Sequence, residues 1–156
     1  MKFKPYWSVL PLVTVIVAAL GSYFSSNGMP WYNAVLIKPE LTPPGWAFPL
    51  AWNIIFVATT CSALLIWNKA KRDTRFQTVM LLFLANAFLN VFWSLLFFNL
   101  HQLNWALIEM LALEASTLGL ILLTWKSSKL ASALLLPYAV WVGFASFLTY
   151  QIVQLN

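Results

Sequence analysis

Phe76 to Phe98 reads FQTVMLLFLANAFLNVFWSLLFF, a run with no Asp, Glu, Lys or Arg. About 20 apolar residues cross a ~30 Å hydrocarbon core as a helix, and this run is long enough to do so. Lipid offers no water to backbone N–H and C=O groups, so the segment must close its own hydrogen bonds, as a helix does. Within it Asn86, Asn90, Trp93 and Phe97 recur at spacings of four, three and four, which puts them on one helical face. Amides in hydrocarbon are costly unless hydrogen-bonded, so that face is expected to point into a bundle.

Four further runs are of the same kind. The predicted helices are 6–24, 46–67, 76–98, 105–125 and 132–153. The chain is 62% hydrophobic and 8% charged, with mean hydropathy +0.79, far from the balance of a soluble domain. Its 156 residues leave nothing over for a soluble domain, so the expected fold is all-α and integral to the membrane, a single domain over 1–156. The lone Cys61 lies in the second run and can form no intramolecular disulfide. One Cys and one His build no multi-ligand metal site, so no metal and no intrinsic cofactor is expected.

Charge tests the helix count. Five spans put Lys2, Lys4, Lys69, Lys71, Arg72, Arg75, Lys126 and Lys129 on one side of the membrane and only Lys38 on the other. A miscounted helix would scramble that split. The positive-inside rule then places the N-terminus in the cytoplasm, and with no transit peptide the expected location is a bacterial cell membrane. The net charge of +5 is read as a topology signal, with no nucleic-acid partner. Lys2 and Lys4 ahead of an apolar run, with Ala18-Ala19, also resemble a cleavable signal peptide. The run is long for that role and ends in bulky Tyr23-Phe24, which favours a retained first helix.

Loop one, 25–45, is too long for a plain connector and too rich in Trp, Tyr and aliphatic residues for a disordered one. Its four prolines are expected to deny it extended helix. It reads either as an interfacial segment or as an ordered lid over an opening between helices, and the lid is preferred.

Trp7, Trp31, Trp46, Trp67, Trp105 and Trp125 lie at run ends or in loop one, where an interfacial belt explains them. Trp52, Trp93 and Trp141 lie deeper. Tyr138, Trp141, Ala145 and Leu148 share one face of the fifth run, and a ring followed one turn later by alanine suits a ligand slot or plain packing. In the fourth run Glu109 and Glu114 stand about 140° apart around the axis and cannot pair within it. Glu109 is near enough to the helix start to reach the interface. Glu114 is deeper, either a functional acid or a structural one facing the bundle. Ala112, Ser116 and Gly119 form a small-residue ridge for the bundle or a dimer. His101 reads as an interfacial polar residue, with haem ligation from the rim the alternative. No Ser–His–Asp set, phosphate loop or carboxylate pair is present, so conventional acid–base or nucleophilic catalysis has little to work with.

Three fragments carry a resemblance. They are Tyr32-x5-Lys38-Pro39-x3-Pro43-Pro44-x-Trp46-x5-Trp52, then Asn90-x2-Trp93-x3-Phe97-Phe98 followed by Trp105-Ala106-Leu107, and Pro137-Tyr138-x2-Trp141-x2-Phe144-Ala145. Together, and in order along the whole chain, they resemble the tryptophan-rich sensory protein / translocator protein family, also called the peripheral benzodiazepine receptor family. The resemblance implies a five-helix bundle, often a homodimer, with a pocket closed by loop one. It implies binding of tetrapyrroles (protoporphyrin IX, haem) and of isoquinoline carboxamide and benzodiazepine ligands, and light- and oxygen-dependent porphyrin degradation. By matching position the pocket would include Ser22, Tyr32, Trp52, Asn90, Trp93, Ala112, Trp141, Ala145 and Leu148, with Trp52 and Trp141 tied to the photochemistry.

Departures are visible. Tyr32 stands where Trp is usual, Leu41 where an aromatic is common, and Thr149 where Asn is usual. No Lys or Arg follows Tyr150, so the cholesterol-type pattern is absent and sterol binding is not implied. Two readings stay open: a receptor with porphyrin photochemistry, or a non-catalytic carrier of small hydrophobic ligands.

Overall fold

Each apolar run folds as a helix in the computed structural model, which describes residues 6–156; Lys2 and Lys4 lie outside them. The elements are α1 (Tyr6–Ala34), α2 (Ala47–Lys69), α3 (Thr74–Ser94) continued by a π-helical turn (Leu95–Asn99), α4 (Leu103–Trp125), α5 (Lys129–Ala133) and α6 (Leu136–Leu155). Five helical stretches are long and apolar enough to cross a membrane, the last being Lys129–Leu155, which contains α5 and α6. The chain is an all-α, multi-pass integral membrane protein.

The helices close into a ring. α1 packs on α2 and α3, α4 on α3 and α6, and α2 on α5 and α6. Three buried layers stack along the bundle. Leu36, Phe97, Leu148 and Ile152 lie toward loop one, Ile55, Met110, Tyr138 and Val142 in the middle, and Ile66, Val79, Leu120 and Leu135 at the other end. Outward residues such as Leu81, Leu122 and Val140 are large, apolar and exposed, as lipid contact requires. Lys69, Lys71, Arg72, Arg75, Lys126 and Lys129 sit at or between helix ends on one side of the bundle, and Lys38 on the other.

Two boundaries differ from the sequence reading. α1 runs ten residues past the predicted end at 24, so half of the predicted loop one is helix and the loop itself is 35–46. Pro30 lies inside α1 and does not stop it. Proline removes one backbone donor, a loss that neighbouring helices can compensate. Contacts to the end of α3 hold this part of α1 in place: Asn99 donates to the Phe24 carbonyl at 2.9 Å, and Trp31 and Tyr32 pack on Phe97 and Phe98. Gly28 makes the approach possible. A Cβ there would lie 2.2 Å from the Phe98 carbonyl oxygen. The predicted helix 132–153 is also broken, since Pro137 has no N–H and α6 restarts around it. Across that break the Ser62 hydroxyl donates to the Ala131 carbonyl at 2.7 Å, and Ser132 donates to Ile121 at 2.7 Å.

The remaining loop is ordered. Leu36 is buried among Phe97, Ala106, Leu148 and Ile152. The side chain of the last residue, Asn156, accepts from the Ile37 N–H at 2.9 Å and donates to the Ile37 carbonyl at 3.0 Å. Lys38 lies over the Tyr32 ring at 4.7 Å and donates to Asn33 at 3.2 Å. Loop one is thereby tied to α1, to the core and to the end of α6.

Candidate ligand site beneath loop one

The inward face expected of α3 is the spine of the site. Asn86, Asn90 and Phe97 are buried, and Trp93 bridges the upper and middle layers. Asn90 donates to the Tyr138 hydroxyl at 3.0 Å, joining α3 to α6 through the core. Trp52 meets Tyr138 edge-on at 6.1 Å between ring centres and stacks on Phe56 at 5.7 Å. Trp141 takes Phe48 edge-on at 5.8 Å. Ala145 packs on the same middle layer, and Leu148 is buried one turn further along.

The π-helical turn supplies the roof. It widens the last turn of α3, so Phe97 and Phe98 both point into the core. Trp93 stacks on Phe97 at 5.2 Å, and Tyr32 faces Phe97 and Phe98 at 6.2 and 5.9 Å. Trp52, Trp93, Trp141, Ala145, Leu148 and Tyr32 therefore pack into one continuous aromatic region, with the Asn90–Tyr138 pair as its polar group. The Trp93 indole N–H is buried without a hydrogen-bond partner. Such a donor is costly in a low-dielectric interior and favours a guest acceptor.

A family model described as the TspO/MBR family matches residues 9–155. The chain belongs to the TspO/MBR family. It is 35% identical over 155 residues to the tryptophan-rich protein TspO of Archaeoglobus fulgidus, covering 96% of this chain and 99% of the relative. It is 33% identical over 140 residues to the protein of that name from Chlorobaculum tepidum, covering 90% and 89%. The human translocator protein is 32% identical over 133 residues, with 84% and 78% covered.

Not every residue carried over from the TspO/MBR resemblance joins the aromatic region. Ser22 is exposed on α1, while its neighbour Gly21 faces Ser94. Ala112 is exposed on α4. The ridge it was grouped with divides, because Ser116 accepts from Asn86 and Gly119 backs onto Leu82. Trp105 is 62% exposed, at a helix start, and belongs with the belt residues Trp7, Trp46 and Trp125. Trp31 and Trp67 do more than a belt requires. Trp31 stacks on the exposed His101 ring at 3.9 Å, and Trp67 packs on Phe76 under the Arg72 guanidinium. His101 has a positive φ of 53° at the turn into α4. No group of three potential metal ligands comes together among the described residues.

Glu109 departs from its expected place. It is 6% exposed, and neither carboxyl oxygen has a hydrogen-bond partner, so it does not reach the interface. Glu114 is half-buried with one oxygen near Gly143. Thr149 occupies the position where the family pattern has Asn and donates to the Met110 sulfur at 3.7 Å.

Phe48, the π-helical turn and the Asn156 clamp were missed from sequence. Phe48 carries no signal beyond its place between Trp46 and Trp52. The clamp joins positions 119 residues apart, a pairing that no local pattern exposes.

Proposed function

We propose that this protein is a membrane receptor for tetrapyrroles, protoporphyrin IX and haem, held between loop one, α2, α3 and α6. The observation that carries the reading is the convergence of Trp52, Trp93, Trp141 and Tyr138 over a buried Asn90, in a chain of the TspO/MBR family. Flat rings stack on a tetrapyrrole plane, and Asn90 and the Trp93 N–H supply the few polar contacts that orient a ligand in an apolar site. Entry displaces loop one and parts the Phe48–Trp141 edge contact. The same slot takes isoquinoline carboxamide and benzodiazepine ligands.

The proposal extends to photochemistry. Excited porphyrin exchanges an electron with the indole of Trp141 or Trp52, and dioxygen is the oxidant that makes degradation irreversible. The reactivity is the ligand's, and the protein contributes orientation and a redox-active ring. The protein works as a homodimer in a bacterial cell membrane with its N-terminus in the cytoplasm. The exposed small residues Ala112 and Ala115 on α4 and the one-sided distribution of basic residues favour these two points.

The test is a titration with protoporphyrin IX, following tryptophan fluorescence and the porphyrin band in the dark and then under light. Saturable quenching with light-dependent bleaching is expected. Trp141→Phe should keep dark affinity within about threefold, because an apolar ring replaces an apolar ring, and should slow bleaching at least tenfold. Bleaching no faster than without the protein would reduce it to a non-catalytic carrier, and unchanged bleaching in Trp141→Phe and Trp52→Phe would remove those two indoles from the photochemistry. No saturable quenching would remove the tetrapyrrole reading.

A further inference from the structure

A second recess lies away from loop one, in the half of the bundle that carries the basic residues. It is a crevice of about 240 Å³ between the first half of α1, the middle and second half of α2 and the middle of α3. Val13, Thr59, Ala63, Phe83 and Ala87 are among its walls, and Asn86, Asn90 and Tyr138 lie at its inner end. Trp93, Trp141, Ala145 and Leu148 take no part in it, and the Asn90–Tyr138 pair is where it meets the aromatic region.

The gap has a local cause. Asn86 is drawn toward α4, donating from one amide nitrogen to Ser116 at 2.8 Å and to Thr117 at 3.0 Å. Those two hydroxyls each donate to the Leu113 carbonyl, at 2.7 and 2.9 Å, so toward Asn86 they can only accept. The amide orientation is thereby settled, with both protons spent on α4. On the opposite flank Thr14 and Thr60 bond at 2.6 Å and tie α1 to α2. Small side chains at Ala63 and Ala87 leave the space between these ties open.

Chemistry at the inner end is specific. Asn86 is bonded to α4 and Asn90 to Tyr138, so the polar group of the crevice left to a guest is Thr59. The Thr59 hydroxyl is buried with no hydrogen-bond partner. A buried hydroxyl or amide left this way is costly and rewards a guest that bonds it. Among the described residues no charged side chain lines the crevice, so an ionised guest would be desolvated without compensation. Size sets the rest. An engineered apolar cavity of about 150 Å³ accommodates benzene, so this one suits about two fused rings and is too small for a tetrapyrrole.

We infer that this crevice is a second ligand site, for a neutral aromatic molecule of about two fused rings bearing one hydroxyl or amide. The inference does not depend on tetrapyrrole binding beneath loop one. A lipid acyl chain would fit the walls but would leave the Thr59 hydroxyl unpaired.

The experiment uses the full chain in lipid nanodiscs, titrated with 6-fluoro-2-naphthol and with 2-fluoronaphthalene and followed by fluorine NMR against empty nanodiscs. Saturable naphthol binding, about three- to tenfold tighter than the hydrocarbon, is the expected result for one added hydrogen bond. Ala87→Phe, which fills the crevice, should abolish it. Thr59→Val keeps the shape, guards against misfolding of the first variant, and should bring naphthol down toward the hydrocarbon value. Trp141→Phe should leave naphthol binding unchanged, and protoporphyrin quenching should survive both crevice variants. Three results would overturn the inference: no saturable binding above empty nanodiscs, equal binding of the two probes, or naphthol binding that persists in Ala87→Phe. Loss of protoporphyrin quenching in Ala87→Phe but not in Trp141→Phe would make the crevice the tetrapyrrole site and overturn it as well.

Discussion

The two ends of this bundle are built by different forces. Toward loop one, contact is ring on ring: Trp31, Tyr32, Trp93, Phe97 and Phe98 fill the space between α1 and the π-helical turn, and Leu36 seals them. Toward the basic end, helices are joined by hydroxyls and amides. Thr14 meets Thr60, Asn86 meets Ser116 and Thr117, and Ser62 meets Ala131. Hydrophobic exclusion drives neither, because lipid is as apolar as the side chains. Packing and hydrogen bonding have to supply the association. Dense ring packing between α1 and the π-helical turn makes that contact intolerant of added volume. Directional polar bonds join helices at points and leave a crevice between them.

The largest effect should come from breaking the ring-packed end at its closest approach. Gly28→Ala puts a methyl group against the Phe98 backbone, and the cost should be about 3 kcal/mol, the upper range of overpacking. Reversible unfolding in mixed micelles measures it, and a change under about 0.5 kcal/mol would mean that α1 and the π-helical turn part easily. At the polar end, Asn86→Leu removes two interhelical bonds, and the loss should be about 1–2 kcal/mol, since such bonds in membranes average well under 1 kcal/mol each. A smaller loss than for Gly28→Ala keeps the comparison intact, and the reverse order breaks it. The smallest effect should follow Asn156→Ala. Two exposed bonds to Ile37 disappear, so global stability should move by less than about 1 kcal/mol. Hydrogen exchange at the Ile37 amide should accelerate several-fold. Unchanged exchange would mean that Leu36 and Lys38 hold loop one without the clamp.

Much of the fold is legible because hydrocarbon imposes a simple rule. Uncharged runs must be helices, and Lys and Arg must sit at their ends, so five spans and their alternation follow from composition along the chain. The inward face of α3 is legible for the same reason, since Asn86 and Asn90 can only point where partners are. The end of α1 is less so. Ser25-Ser26-Asn27-Gly28-Met29-Pro30 looks locally like a loop, and only contact with Phe98 and Asn99 makes it helix. Ser22 and Ala112 show the same limit at the site. Matching positions by pattern fixes their place along a helix, but the turn of the helix against its neighbours leaves both exposed. Glu109 sits close to the start of α4, yet packing against neighbouring helices buries it.

Composition and spacing along the chain are enough to give a five-span helical membrane protein with an aromatic interior and an amide-bearing third helix. Those properties depend on transfer of side chains and backbone between water and lipid, which each residue contributes almost independently. Tertiary structure alone decided where α1 stops, how α3 widens over its last turn, that Asn156 closes on Ile37, and that a crevice opens beside Asn86. Each of these depends on contacts between residues far apart in the chain, whose energies exist only once the helices are side by side.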